Sequence, residues 1–511
     1  MQFFSSDLEH MKKRGLDPQK VSSQLALFAK PRTFVHLLAP ATLEEGIKKF
    51  LAKQGQDLVQ AFGEIRANSS FWEFVPASGA ASRMFKNWFK LRDQLRAQNP
   101  EQLPSGSLGT ECLALKHDLP HYAFYPFLQS FLEKESLQFS TLQTHSDFEI
   151  LLNILLDSNK LGLADWPKGL IPFHSYTSGY RTAFEEHLEE AIFTTMDASG
   201  HCRIHFTVPE KYLGKINALL EKTTLDLKKR GLTYTFSLSI QDPSTDTPAA
   251  TNLNEAFRDA SQNMVFRPGG HGALLFNLQQ LNVEIVFIKN IDNIAHDRHK
   301  KDALQYRQIL GAALLNLRSQ VHSLLTDLDT FMLSQKPLTP EYLLRFHNFC
   351  RNELQLNQNL PMEATAIKSF LYRPLRVAAV VKNEGEPGGG PFWVLSPSGQ
   401  KSLQIVESAE VNLQDPAQKQ IWESSTHFNP VDMVCCLRDH KNQPFDLSHY
   451  VNTDAFFISE KTQDGRPLRA LELPGLWNGA MAGWLTQFVE APVTTFTPVK
   501  EITDLLKPSH Q

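Results

Sequence analysis

Phe74-Val75-Pro76 runs straight into Ala77-Ser78-Gly79-Ala80-Ala81-Ser82-Arg83-Met84, and this switch from bulky to minimal side chains constrains the chain more than any other stretch. An extended apolar segment followed by a sharp turn predicts a strand leading into a helix. A turn built of Gly, Ala and Ser lets the backbone approach a ligand closely, and its successive N–H groups make a nest for an anion. A helix beginning at Ser82 or just after it adds its positive end to such a site. Arg83 adds a fixed charge suited to phosphate oxygens. The same residues also suit a strand-to-helix corner chosen only for tight packing.

The rest of the chain alternates in the same way. Residues 22–68 read as helical, with Thr42-Leu43-Glu44-Glu45 as a capping box, and 71–76 as a buried strand. Amphipathic helical patterns fill 88–161. Residues 202–208 are extended, 210–229 have helical periodicity, Gly231 stops the helix, and 233–240 are extended again. That order predicts parallel strands joined by a crossover helix. The apolar run Val283-Glu284-Ile285-Val286-Phe287-Ile288 suits a central strand. Residues 302–356 read as helices split near Lys336-Pro337, and 375–381 and 391–395 as strands around Gly385-Glu386-Pro387-Gly388-Gly389-Gly390. The expected fold is α/β, with a doubly wound, mainly parallel sheet. The expected layout is a helical N-terminal segment, 1–70, and a catalytic domain, 71–511, with helical insertions at about 88–165 and 302–356.

A chain of 511 residues with a formal net charge of −4 has room for a large core and no broad basic face, which argues against nucleic acid and against a polybasic membrane surface. The five cysteines are scattered without zinc-ligand spacing, as free thiols in a reducing compartment would be. The N-terminus turns polar too early for a signal peptide, and no apolar run reaches spanning length. A cytoplasmic location is the expectation.

Ligands of open α/β sheets gather at the carboxyl ends of strands, and further segments read as such ends or as helix starts. In Trp166-Pro167-Lys168-Gly169-Leu170-Ile171-Pro172, Lys168 is a point charge on a stiff segment, or else a plain surface lysine. Pro268-Gly269-Gly270-His271-Gly272 can lie flat against a ring or phosphate, or His271 can be a core histidine. Asn290-Ile291-Asp292-Asn293 follows a buried strand. Asp292 there suits a hard divalent cation, or the N-cap of a following helix. Lys500 stands beside the stiff turn Phe496-Thr497-Pro498-Val499, ahead of a short helix. Leu476-Trp477-Asn478-Gly479 is either a sugar-side segment or a packed tryptophan. Glu185-Glu186-His187 with Glu189-Glu190 looks like a metal cluster, but its placement along one amphipathic helix predicts a solvated charged face.

Taken in order, these segments resemble the sugar-nucleotide pyrophosphorylases. Residues 77–84 resemble their pyrophosphate loop, with Ser78 and Ala81 where that family usually has glycine. Residues 167–172 resemble their lysine motif, and 268–272 and 290–293 the base loop and metal aspartate of the eukaryotic-type UDP-sugar enzymes. Ile405-Val406-Glu407-Ser408-Ala409-Glu410-Val411 is similar to their sugar-recognition segment, and His427-Phe428-Asn429-Pro430-Val431-Asp432 to the segment after it. Residues 496–500 with 504–506 are similar to their C-terminal lysine motif. Overall the chain is identified as a member of the bacterial domain of unknown function 4301 family.

The resemblance implies a GT-A-like nucleotidyltransferase fold and transfer from a nucleoside triphosphate to a sugar-1-phosphate. It implies that Arg83 and the amides of Ser78, Gly79, Ala80, Ala81 and Ser82 hold the leaving phosphates, and Lys168 the α-phosphate. Asp292 binds Mg2+, with Asp432 as second ligand. Gly269, Gly270, His271 and Gly272 frame the base, Glu407 and Asn429 meet sugar hydroxyls, and Lys500 meets the sugar phosphate. Two other readings of the same residues are a GT-A-type glycosyltransferase and a non-catalytic nucleotide-sugar-binding protein.

Overall fold

Trp72–Pro76 forms the expected strand, and its register with Ile285–Lys289 is parallel, Trp72 opposite Val286 and Phe74 opposite Ile288. The computed structural model describes residues 3–135, 137–356, 360–386, 388–395, 399 and 401–511. Met1, Gln2, Ser136 and Pro387 of the segments considered above lie outside the described residues. Contacts divide the chain into two units. One comprises Met1–Phe74, Ser239–Ile288 and Tyr306–Val493, the other Val75–Leu238, Lys289–Gln305 and Thr494–Gln511.

In the first unit the strands lie in the order Ile47–Lys48, Leu485–Glu490, Leu375–Lys382, Asp432–Cys436, Ile285–Lys289, Trp72–Pro76. Leu375–Lys382 is parallel to Leu485–Glu490, which is parallel to Ile47–Lys48, while Asp432–Cys436 runs antiparallel to Leu375–Lys382. Every residue of Ile285–Lys289 is buried, which explains its lack of apolar–polar alternation. Two smaller antiparallel sheets belong to the same unit. One pairs His36–Pro40, Gly390–Leu395 and Lys401–Val406; the other pairs Phe457–Gln463, Arg466–Glu472, Thr247–Ala250 and Phe266–Arg267.

The helical expectation for 22–68 holds only at its ends, in Pro18–Leu27 and Ala52–Ala67. Between them lie His36–Pro40 and Ile47–Lys48. Thr42 opens a tight turn rather than a helix: its N–H donates to the Glu45 carbonyl, 2.9 Å, and its own carbonyl accepts from Glu45 and Ile47. Gly46 sits at φ +107°, a conformation that ends any helix started there.

The second unit has its own core, built from the helices Lys86–Arg96, Gly106–Asp118, Tyr125–Lys134 and His145–Leu156, expected as an insertion, and from His201–Thr207 and Leu213–Lys228. His201–Thr207 neighbours Thr233–Ser239. The His201 ring meets the Thr233 and Thr235 hydroxyls and the His205 ring meets Ser237, a stepwise match in one direction, as in a parallel pair. Ile291, Ile294, Val499, Ile502 and Leu505 are buried in the same core, which fixes two loops far apart in sequence to one scaffold. Each such side chain contributes about 1.5–3 kcal/mol on burial. The five cysteines are buried free thiols. Among the described residues no helix is long and apolar enough to cross a membrane.

Candidate functional site

Small side chains leave the main chain of residues 77–84 free to bond to its neighbours in the second unit. The Ala77 N–H donates to the Thr207 carbonyl, 2.9 Å, and the Ala81 N–H to the Trp166 carbonyl, 3.0 Å. In return the Lys168 N–H donates to the Gly79 carbonyl, 3.3 Å, and Ala80 bridges Pro167. The turn and the lysine segment are therefore one structure, joined across 79 to 168. Ser82 and Arg83 stay exposed at its tip. The expected helix is later than the sequence suggests. A single 3₁₀ turn, Ala81–Arg83, comes first, and the regular helix starts at Lys86. The amides of Ser78, Gly79, Ala80 and Ser82 with Arg83, rather than a helix end, are what this loop offers an anion; the Ala81 amide, expected in that set, is taken by the Trp166 carbonyl.

Lys168 reaches the Asp292 carboxylate, 2.6 Å from Nζ to Oδ2, with side chains 17 % and 20 % exposed. The pair joins residues 124 positions apart. Asp292 caps no helix; the next one is Lys301–Leu333. Its carbonyl accepts the Val499 N–H, 3.1 Å, and the Asn293 side chain accepts the Thr497 N–H, 2.9 Å, so the Asp292 loop is bound along the C-terminal segment. Behind it the His187 ring meets the Ile291 carbonyl and Lys289 is buried against Glu190, 2.8 Å. Lys500 lies on that C-terminal segment with its ammonium 5.6 Å from the Phe496 ring centre. The helix expected after it is a 3₁₀ element, Ile502–Leu506, whose Asp504 carboxylate accepts the N–H groups of Lys500 and Glu501, each 2.7 Å.

The helix Ala183–Thr194 corrects the expectation of a solvated charged face. Glu186, His187 and Glu190 are fully buried. Glu186 accepts from the Tyr176 hydroxyl, 2.6 Å, faces the His174 ring at 2.9 Å, and is ringed by Arg181 and Lys300; His174 in turn meets His510. Partners from distant segments make burial of these charges tolerable.

The first unit holds the remaining predicted residues. Gly270 takes φ +76°, and a Cβ on Gly272 would stand 2.0 Å from the Pro474 carbonyl oxygen. Gly270 is thus demanded by its backbone conformation, and Gly272 by packing against Pro474. The His271 Nδ1 accepts the Leu476 N–H, 3.0 Å, and its ring stacks on Trp477 with centres 4.3 Å apart. Burial pulls this imidazole down to about 4, against the opposing charge of Glu472, so it is neutral at physiological pH. Trp477, only a side candidate by sequence, joins two predicted segments, because Glu407 also meets it. Burial raises the Glu407 carboxyl, the Trp477 indole opposes this, and Glu472 adds to it.

Asn429 is buried, donating from Nδ2 to the Ala379 carbonyl, 2.7 Å, and accepting the Val431 N–H, 3.1 Å. Val431 has φ +58°, strained for a β-branched residue, in the turn between Asn429 and Asp432. Asp432 is buried beside the Arg307 guanidinium, 3.5 Å, which also faces Glu73 at 3.2 Å. A carboxylate so enclosed by a cation suits a metal poorly. Asp292 is partly exposed, and its carboxylate is paired with Lys168. Among the described residues no group of three or more His, Cys, Asp or Glu could hold a metal.

Residues 4–511 match the family model described as a domain of unknown function, DUF4301. No curated protein matches the chain. Similar solved structures include the UDP-glucose pyrophosphorylase of Leishmania major, 12% identical, covering 98% of this chain and 77% of that one with a TM-score of 0.43. They also include the UDP-glucose phosphorylase of Trypanosoma brucei, 12% identical, with coverage of 98% and 77% and a TM-score of 0.44. The uridine diphosphate N-acetylglucosamine pyrophosphorylase of Trypanosoma brucei is 11% identical, with coverage of 95% and 74% and a TM-score of 0.45.

Proposed function

We propose that this chain, which belongs to the DUF4301 family, is a nucleotidyltransferase that joins a sugar-1-phosphate to a nucleoside triphosphate and releases pyrophosphate. The observation that carries this reading is the lacing of the Gly79 turn to Lys168, and of Lys168 to Asp292. A phosphate oxygen of the sugar attacks the α-phosphorus, the bond to the bridging oxygen breaks, and pyrophosphate departs with that oxygen. An anion attacks an anion while a third anion leaves, so positioning and charge neutralisation supply the catalysis.

In the second unit the amides of Ser78, Gly79, Ala80 and Ser82 and the exposed Arg83 hold the β- and γ-phosphates. Lys168 turns to the α-phosphate, and Lys500 takes the sugar phosphate. Mg2+, which Asp292 would hold together with phosphate oxygens and water, would supply charge neutralisation there. The first unit carries a separate set, the neutral His271 stacked on Trp477 with Glu407 against the same indole.

Pyrophosphate exchange tests the reading. Asp292→Ala is expected to slow exchange by about two orders of magnitude or more, the scale for loss of a transition-state charge partner. Exchange near the wild-type rate in that variant overturns the assignment. Turnover of a nucleotide sugar without pyrophosphate would instead mark a glycosyltransferase.

A further inference from the structure

Segment 496–511 carries Lys500 and is bonded to the Asp292 loop at both of its ends. At one end the Thr497 N–H donates to the Asn293 side chain and the Val499 N–H to the Asp292 carbonyl. At the other the His296 N–H donates to the Ser509 carbonyl, 2.9 Å. Between them Ile502 and Leu505 are buried in the core of the second unit. The residue after Ser509 is His510, whose side chain is 1% exposed.

The seat of that imidazole is polar. His510 Nδ1 lies 2.9 Å from His174 Nε2, and His174 Nδ1 lies 2.9 Å from Glu186 Oε1, with all three side chains buried. A carboxylate at Nδ1 fixes a proton on that nitrogen and with it the direction of the His174 ring. Burial, with the His174 ring beside it, pulls the His510 imidazole down to about 3, so it stays uncharged and one proton can lie between the two rings.

Glu186 supports the Asp292 loop as well. The Tyr176 hydroxyl donates to the same Oε1 that His174 faces, 2.6 Å, and the Tyr176 ring stacks on His296 with centres 4.5 Å apart. The His296 Nε2 meets the Ser175 carbonyl at 3.2 Å, and Arg181 faces both Glu186 and Asp297. One buried carboxylate therefore holds the loop through Tyr176 and His296, and the segment through His174 and His510.

We propose that His174 and His510 are positioning residues, whose hydrogen bond, oriented by Glu186, clamps segment 496–511 onto the Asp292 loop so that Lys500 and Asp292 are set as one body. The effect on turnover rests on the nucleotidyl-transfer reading above; the clamp does not.

Hydrogen exchange on the full chain tests the clamp at the three amides that cross it, those of Thr497, Val499 and His296. His510→Phe fills the seat without a hydrogen-bonding group, whereas His510→Asn puts an amide where Nδ1 stands. His510→Phe is expected to speed exchange at the three amides about tenfold or more, the scale of one lost buried hydrogen bond, while the helix Lys86–Arg96 keeps its wild-type rates. His510→Asn is expected to restore slow exchange. The proposal is overturned if the three amides stay slow in His510→Phe, or if His510→Asn exchanges as fast as His510→Phe. If His510→Phe does not fold, His510→Asn decides alone, with wild-type protection supporting the clamp and lost protection overturning it. In pyrophosphate exchange His510→Phe is expected to raise the KM for sugar phosphate about tenfold, with a smaller change in kcat, and His510→Asn to reverse this. An unchanged KM in an active His510→Phe overturns the positioning role. A wild-type chain that catalyses no pyrophosphate exchange refutes the reaction instead, and the amide rates still decide the clamp.

Discussion

Two glycines show what a single side chain does in this chain. A Cβ at Gly272 would collide with the Pro474 carbonyl oxygen, whereas a Cβ at Gly79 would meet no protein atom within 4 Å. Gly272→Ala is expected to destabilise the fold by about 1–3 kcal/mol or more, the range for forced overpacking, seen as a lowered denaturation midpoint. Gly79→Ala is expected to leave stability within about 1 kcal/mol while weakening nucleotide binding, because only a ligand would meet the added methyl. Equal loss of stability in both would show that the Gly79 turn is shaped by packing. Glu410 adds a titration. Burial pushes its carboxyl up to about 7, against the Asn478 amide and the Glu407 N–H, which donates to its Oε2 at 2.8 Å. A carboxyl raised on folding lends stability that is complete below its unfolded value, near 4.5, and lost as pH rises through 7. Glu410→Gln is expected to flatten that slope in pH-dependent urea denaturation, since glutamine keeps an acceptor and has no charge to bury. An unchanged slope would assign the pH dependence elsewhere.

Among the elements, those with strong local signals were legible from sequence. The strand at 72–76, the strand–helix–strand from 201 to 239 and the break near Pro337 each rest on local patterns, and all are present. The failures share one cause, which is that distant partners decide them. Thr42-Leu43-Glu44-Glu45 has a helix-start pattern and closes a turn instead, between strands whose partners lie beyond residue 390. The helix Ala183–Thr194 reads as charged and solvated, and its carboxylates are buried because His174, Arg181, Lys289 and Lys300 arrive to meet them. At this scale Asp504 is the residue to change. Its carboxyl lies below the usual range; burial raises it, but the N–H groups of Glu501 and Lys500 and the Lys507 ammonium lower it more. Asp504→Ala removes the cap of the 3₁₀ element that follows Lys500, together with the acceptor of the Lys500 N–H, and is expected to cost about 1 kcal/mol. It is also expected to raise the KM for sugar phosphate more than it lowers kcat. A pure stability effect with unchanged KM would detach Lys500 from the substrate.

The molecule as a whole distributes the predicted residues over two units, with Ser78, Arg83, Lys168, Asp292 and Lys500 in one and His271, Glu407, Asn429 and Asp432 in the other. Sequence order could name Ser78, Arg83, Lys168, Asp292 and Lys500, but not that backbone bonds and one ion pair tie their segments to one core. Asp432 shows the opposite limit. Its motif suggested a metal ligand, and only the fold reveals the Arg307 guanidinium against it. The central claim is that the second unit holds one triphosphate with charges from separate segments. Thermal shift with a nucleoside triphosphate and magnesium tests it most directly, because a ligand bound to the folded state raises its melting point. The wild-type chain is expected to gain stability, and Arg83→Ala, Lys168→Ala and Asp292→Ala are each expected to lose most of that gain. A full shift in all three variants, or none in the wild type with any of the common bases, would contradict it.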